Sequence, residues 1–472
     1  MKPIRIVIIG AGSTIFALEV IKDLCSNPRL AGAHVYFVDL NPERLHISLT
    51  LCQRYAQEVG SGIKLHGTTD RAEALPGADF VICTALALNY DKMLQGWDLA
   101  EKHGFRQVGS LHLIYDEAFW VNFYQLQLFE EIIKDMQIHC PQAWFFMVSN
   151  PVMAGVTYLG RKYPQAKVIG ICHGYYEIYS ILEELGIDPA KATWEMSGAN
   201  HFLWLNRLTY EGCDAFPLLD RWIAEKGPAY WASRNDKARW GTLGRKIIDL
   251  YRIHGVLAIG DTAHWIANGW PWWYSGTEEE RLRWDEPPLR KSWQGLLDIL
   301  TKEQQNRLQL AADPTRRISD VYPGKSKEHI IDMVDAIAND QPRDFIVNIL
   351  NIGQHVPGVP RDFQVEVNAR LSAAGVEAHP TSPLPRSILA HLFRDRIAPV
   401  ELELTAYENR SRDLLVELIL TDHWAPSKKA VEAFLDELLN LPWNARMKAH
   451  YLPSQQPNGS GSSSTALTSG AG

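Results

Sequence analysis

Cys172-His173-Gly174, followed by Asn200-His201, places a soft thiolate and an imidazole in a chain that opens with Gly10-Ala11-Gly12-Ser13. Glycines in that pattern, after an apolar run and before a helical one, allow a tight turn. They also let backbone N–H groups approach a pyrophosphate at a helix N-terminus. A thiolate and an imidazole beside a nicotinamide point to oxidation of a hydroxyl next to a metal ion. Two protein ligands leave coordination positions open for substrate oxygens, which suits catalysis rather than structure. Each residue also has a plainer reading: a buried cysteine is commonly a small hydrophobe, and a lone histidine is often satisfied within a core.

The elements that must position these residues alternate. β-Branched runs at 5–9, 34–38, 79–83, 144–148 and 167–171 read as strands, with helical patterns at 16–25, 42–55, 91–102 and 116–136 between them. Strands alternating with helices imply right-handed βαβ units and a parallel sheet. Ligands of such sheets bind at the carboxyl ends of the strands, which turns Gly10, Thr84, Asn150 and Cys172 toward one crevice. Asp39 ends the second strand, where it would hydrogen-bond ribose hydroxyls and favour NAD over NADP. The alternative is that Asp39-Leu40-Asn41-Pro42 is only a turn and helix cap. The third glycine of the fingerprint is missing, with Ile15 in its place.

After residue 192 the pattern changes. Stretches 193–199 and 202–208 read as strands of a different, antiparallel sheet, followed by helices at 240–251, 261–268, 293–308 and 329–339. Extended segments at 344–351 and 362–367 precede helices at 385–395, 400–410 and 411–421. The expected organisation is α/β: a Rossmann-like doubly wound parallel sheet over 1–192, then an α+β substrate, metal-site and oligomerisation domain over 193–452. A flexible Gly/Ser-rich tail follows over 453–472.

Composition narrows the function classes. A formal charge of −8 argues against a general nucleic-acid binder, which carries a basic surface. Six cysteines without CxxC spacing fit a reducing compartment, in which a ligating thiol stays free. No run approaches the roughly 20 apolar residues of a membrane span. No cleavage-site pattern follows Ile6-Val7-Ile8-Ile9. The expectation is a cytoplasmic protein acting on a small molecule.

Taken in order and spacing, a longer set of motifs resembles glycoside hydrolase family 4, the NAD- and Mn-dependent glycosidases. The set is Gly10-Ala11-Gly12-Ser13, Asp39, Asn150-Pro151, Cys172-His173, Asn200-His201, Ile259-Gly260-Asp261-Thr262, Asn351-Ile352-Gly353 and Val359-Pro360-Arg361-Asp362-Phe363-Gln364-Val365-Glu366-Val367. The resemblance implies a fold akin to lactate and malate dehydrogenases, assembled as a homodimer or homotetramer. It implies Cys172 and His201 as ligands of Mn2+ or another divalent metal, Asn150 as a sugar-hydroxyl contact and Asp261 as the base at C2. Without it, Asp261 reads as the N-cap of the following helix. His173 either protonates the leaving oxygen or shapes the pocket. Trp272-Trp273-Tyr274 is either a sugar-stacking wall or core.

The implied reaction oxidises the sugar at C3, removes the C2 proton, eliminates the aglycone, adds water and returns the hydride. Its net result is hydrolysis outside the two-carboxylate scheme. A Cys-His-Gly start resembles the members acting on α-uronides, with α-glucuronide first and α-galacturonide second. An α-glucosidase or α-galactosidase is the alternative within the family, and an NAD-dependent 2-hydroxy acid dehydrogenase the alternative outside it. A uronate carboxylate wants an arginine in bidentate geometry, for which Arg106, Arg361 and Arg386 are available. The stretch Gln107-Val108-Gly109-Ser110-Leu111-His112 departs from the family's glycine-rich pattern.

Overall fold

Ile6, Val7, Ile8 and Ile9 are all buried, and successive side chains of a strand face opposite sides. Ile6 and Ile8 accordingly pack into one core, and Val7 and Ile9 into another. An apolar run covered on both faces marks a parallel sheet wrapped by helices. The computed structural model describes residues 3–106, 110–113, 117–233, 243–263, 270–326 and 328–452.

In it β1 (Arg5–Ile9) pairs in parallel with β2 (His34–Val38) and β4 (Phe80–Cys83). Strand β3 (Lys64–Thr68) lies outside β2, while β5 (Trp144–Met147) and β6 (Lys167–Gly170) extend the sheet beyond β4. Helices α1 (Thr14–Cys25) and α2 (Pro42–Glu58) cover the Ile6/Ile8 face. After the short α3 (Arg71–Ala74), α4 (Tyr90–Lys102), α5 (Phe119–His139) and α6 (Val152–Lys162) cover the other face.

The antiparallel strands do not form a different sheet, as the sequence pattern led one to expect. They continue the parallel one. Strands β7 (Ala192–Ala199) and β8 (Phe202–Tyr210) form a hairpin, to which β9 (Cys213–Asp214) and β10 (Leu257–Ile259) add on β8. Strand β12 (Gln364–Ser372), edged by β13 (Gly375–Ala378), joins β7 to β11 (Arg343–Leu350), and β11 meets β6. The result is one 13-stranded sheet.

Its seam is a close backbone approach, with Asn348 opposite Gly170. A Cβ on Gly170 would lie 2.5 Å from Val152 Cγ1 and 2.8 Å from Asn348 Cβ. Asn348 Nδ2 donates to the Gly170 carbonyl across the seam at 3.3 Å.

Of the expected segments, 107–109, 116, 240–242, 264–268 and the tail 453–472 lie outside the described residues. The helix expected at 240–251 is described over Arg245–His254. No helix among the described residues is long and apolar enough to cross a membrane.

Candidate active site

Strand β1 runs into Gly10, whose φ of +91° lies where side chains are rarely tolerated. A Cβ there would also meet Ala85 Cα and N at 2.5 Å. Gly12 N donates to Asp39 Oδ2 at 2.9 Å, and a Cβ on Gly12 would fall 2.5 Å from that oxygen. Asp39 Oδ1 accepts from Asn41 N at 2.9 Å, while Asn41 rather than Asp39 caps α2 by accepting from Glu43 and Arg44 N–H. Asp39 therefore clamps the glycine turn to the end of β2. Thr84 Oγ1 donates to the Ile9 carbonyl at 3.2 Å and ties β4 to the same turn. Ser13 stands at the N-cap of α1 without a side-chain capping bond. A helix start preceded by a turn with glycine at positions 10 and 12 fits a dinucleotide pyrophosphate.

Gly10→Ala is expected to abolish NAD+ binding and to destabilise the fold by about 1–3 kcal/mol through the strained φ. NAD+ titration and thermal melting check both. Unchanged NAD+ affinity would refute the cradle.

Cys172 follows β6, and Asn200-His201 form the turn between β7 and β8. His201 has a φ of +55°, a conformation that a non-glycine residue keeps only where surrounding structure imposes it. Strand β10 pairs with β8 so that Ile259 lies opposite Leu203, which carries Asp261 alongside His201. Asp261 Oδ2 is 3.5 Å from His201 Nε2. Thr262 Oγ1 locks this register, accepting from Leu203 N at 2.6 Å and donating to Leu203 O at 2.8 Å. The Cys172 loop is drawn in by glycine contact: a Cβ on Gly260 would lie 2.7 Å from the Gly174 carbonyl.

As a result Cys172, His201 and Asp261 each offer a ligand atom within 4.8 Å of the others. Burial pushes the Cys172 thiol well above its ordinary pKa, and the Glu366 and Asp261 carboxylates push it further. Burial also lowers the His201 pKa, keeping the imidazole in its neutral, ligating form. A buried thiol, an imidazole and a carboxylate converging on one point make a donor set for a divalent cation, which would convert the thiol to a thiolate ligand. The donor set fits the metal.

The other expected residues are placed less uniformly. Asn150 follows β5, at the same carboxyl end of the parallel strands as Gly10 and Thr84. His173 is 70% exposed, with Nδ1 3.9 Å from Glu328 Oε1, and is not part of the three-residue cluster. Trp272–Tyr274 form one 3-10 turn. Tyr274 is buried and donates to Asp249 Oδ2, whereas Trp273 is partly open to solvent. Arg106, Arg361 and Arg386 are all exposed, and Arg106 donates to the Gly276 carbonyl at 2.6 Å.

Three charged residues of the site were not singled out from sequence. Glu366, wholly enclosed in β12, accepts from Asn200 Nδ2 at 3.5 Å, and burial pushes its pKa up to about 8. Its signal was present: a glutamate between Val365 and Val367 in a strand buried on both faces. Glu117 lies two residues before α5, 3.5 Å from His201. Arg396 is fully buried, its guanidinium 5.2 Å from the Phe202 ring centroid. Its Nη1 donates to the Asp395 carbonyl, while Nε and Nη2 have no partner among the described residues.

A glycine-turn cradle and a Cys/His/Asp cluster at the ends of one mixed sheet describe an enzyme of the dinucleotide-binding α/β class. The chain belongs to glycosyl hydrolase family 4: residues 5–187 match the family 4 glycosyl hydrolase model and 196–425 match its C-terminal domain. It is 24% identical over 429 residues to an α-galactosidase of Bacillus subtilis (strain 168), covering 89% of this chain and 92% of that protein. An α-galacturonidase of Thermoanaerobacter italicus is 23% identical over 442 residues, with the same coverage of 89% and 92%. A crystal structure of a 6-phospho-α-glucosidase from gut microorganisms, in complex with NAD and Mn2+, superposes with a TM-score of 0.75 at 19% identity, covering 93% of this chain and 98% of that one. By family the protein is a glycosidase.

Proposed function

We propose that this glycosidase hydrolyses α-uronides, using NAD and a divalent metal with Mn2+ preferred. The observation that carries the proposal is the convergence of Cys172, His201 and Asp261 at the sheet whose β1 turn forms the dinucleotide cradle. When bound, the nicotinamide supplies a reversible hydride acceptor and the cation a Lewis acid. Gly10, Gly12 and Ser13 would hold the pyrophosphate, with Asp39 toward the ribose and Thr84 lining the crevice. Cys172 and His201 would hold the cation, and Asn150 would orient a sugar hydroxyl. Asp261 would take the proton from C2, and His173 would serve the leaving oxygen.

The uronide preference is supported by Cys172-His173-Gly174 and by the α-galacturonidases among the relatives. Arg396 adds a physical reason. The Nε–Nη2 edge of a guanidinium is the fork that grips a carboxylate bidentately. Here that edge is buried and, among the described residues, unpartnered beside Phe202, the neighbour of His201 in the chain.

The test is a panel of aryl α-glucuronide, α-galacturonide, α-glucoside, α-galactoside and 6-phosphoglucoside with NAD+, Mn2+ and a thiol reductant, each then omitted. Uronides should be cleaved best, and turnover should fail without NAD+ or metal. Arg396→Met should lower kcat/KM on uronides by about 2–4 kcal/mol, roughly 30- to 1,000-fold, and lower it less on neutral glycosides. Cleavage of the 6-phosphoglucoside but no uronide would refute the preference. Steady NADH production from a hydroxy acid, indifferent to chelator, would instead make the protein a dehydrogenase.

A further inference from the structure

His201 presents its two ring nitrogens to two different carboxylates. Nε2 faces Asp261 Oδ2 at 3.5 Å, while Nδ1 faces Glu117 Oε1 at 3.5 Å. Both His201 and Glu117 are buried, at 5% and 3% exposure. A ligating imidazole must offer a lone pair at the metal and therefore carry its proton on the other nitrogen. A carboxylate opposite that second nitrogen selects this tautomer, fixes the ring plane and makes the ligand more basic. We propose that Glu117 is the positioning residue of the metal centre, holding His201 with Nδ1 protonated and Nε2 free for the cation. Glu117 is not itself a ligand, because it faces Nδ1, across the ring from Asp261.

The surroundings support the assignment. The Glu117 carbonyl accepts from Asn122 Nδ2 at 3.0 Å, which anchors the backbone to the first turn of α5. The His201 backbone is confined to a φ of +55° by the β7–β8 turn, so both partners are held from the main chain. A buried carboxylate also needs a counter-charge. Arg396, itself buried, lies near enough for its charge to act on both Glu117 and His201.

The inference rests on the metal reading above, and one set of titrations separates their failures. Mn2+ binding is measured directly on the full chain with NAD+ present, for wild type, Glu117→Gln, Glu117→Asp and the double variant Glu117→Gln/Arg396→Met. Glu117→Gln should weaken Mn2+ affinity by about 10- to 100-fold, with NAD+ affinity unchanged. Glu117→Asp retains the charge and should recover part of the loss. It also reads the same contact should the glutamine variant fail to fold. The double variant should remain weak. Mn2+ affinity equal to wild type in either single variant overturns the proposal. So does full recovery in the double variant, which would make Glu117 only the counter-charge of Arg396. A wild-type protein that binds no divalent cation overturns the metal reading and this inference together.

Discussion

Cys172→Ser is expected to remove divalent-metal binding and to lower kcat/KM on the best glycoside by about a thousandfold, the several kcal/mol a Lewis acid contributes to stabilising developing charge. The substitution is nearly isosteric and leaves room for the contact from Gly174 N to the side-chain atom, 3.5 Å in the parent protein. The chain should therefore fold and bind NAD+ as before. What changes is acidity. Burial and two neighbouring carboxylates already push the Cys172 thiol upward, and only a cation offsets that push. A hydroxyl is so much weaker an acid than a thiol that the same cation does not recover an anionic ligand from it. Mn2+ titration alongside steady-state kinetics checks the expectation. Mn2+ affinity and turnover close to wild type would remove Cys172 from the metal centre, and with it the central support for the proposed chemistry.

The parallel half of the sheet was legible because its strands are apolar on both faces. Strands β1 and β2 fall on the residues expected, and β4, β5 and β6 differ by a single residue at one end. Strand β3 escaped notice. It is an edge strand whose residues are all at least partly exposed, so Lys64-Leu65-His66-Gly67-Thr68 shows no apolar run. The joining of the antiparallel strands to the same sheet was also hidden. It depends on Asn348 meeting Gly170, 178 residues earlier, and no local pattern reports a partner at that distance. The Gly170 that permits this approach looks like any glycine ending a strand.

At the site, strand-end geometry brought Cys172 to the crevice, and the motif resemblance added His201 and Asp261. The groups around these residues were not legible. Glu117, Glu366 and Arg396 are charged side chains turned inward, against the rule that such groups stay in water unless paired. Helical periodicity gives no reason to bury Arg396 rather than Arg394. The local π-helix over Phe393–Ile397 alters the register of the turn, and Asp395, Arg396 and Ile397 are the residues buried within it. The polar network behind the metal cluster was equally invisible. In it Asn200 N donates to Gln364 Oε1, and Gln364 Nε2 donates to Asn348 Oδ1. It links the His201 turn to the seam through residues far apart in the chain.

Asp261→Asn should separate proton transfer from metal binding at a residue whose position serves either. Its Oδ2 lies 3.5 Å from the ring nitrogen assigned to the cation, close enough for a third ligand. A carboxylate committed to a cation is a poor base, because the charge that would draw the proton is already neutralised. The two roles therefore predict opposite patterns. Asparagine retains an oxygen donor but cannot accept a proton to form a neutral acid. If Asp261 is the base, kcat should fall by about 10²- to 10⁴-fold, and uptake of solvent deuterium at C2 of the sugar should slow with it. Mn2+ affinity should then change little. If Asp261 is instead a ligand, Mn2+ affinity should drop as it does in Cys172→Ser, and added Mn2+ should restore both turnover and deuterium uptake. Deuterium uptake that stays slow at saturating Mn2+ assigns the base to Asp261; rescue by Mn2+ removes it from that role and makes it part of the metal centre.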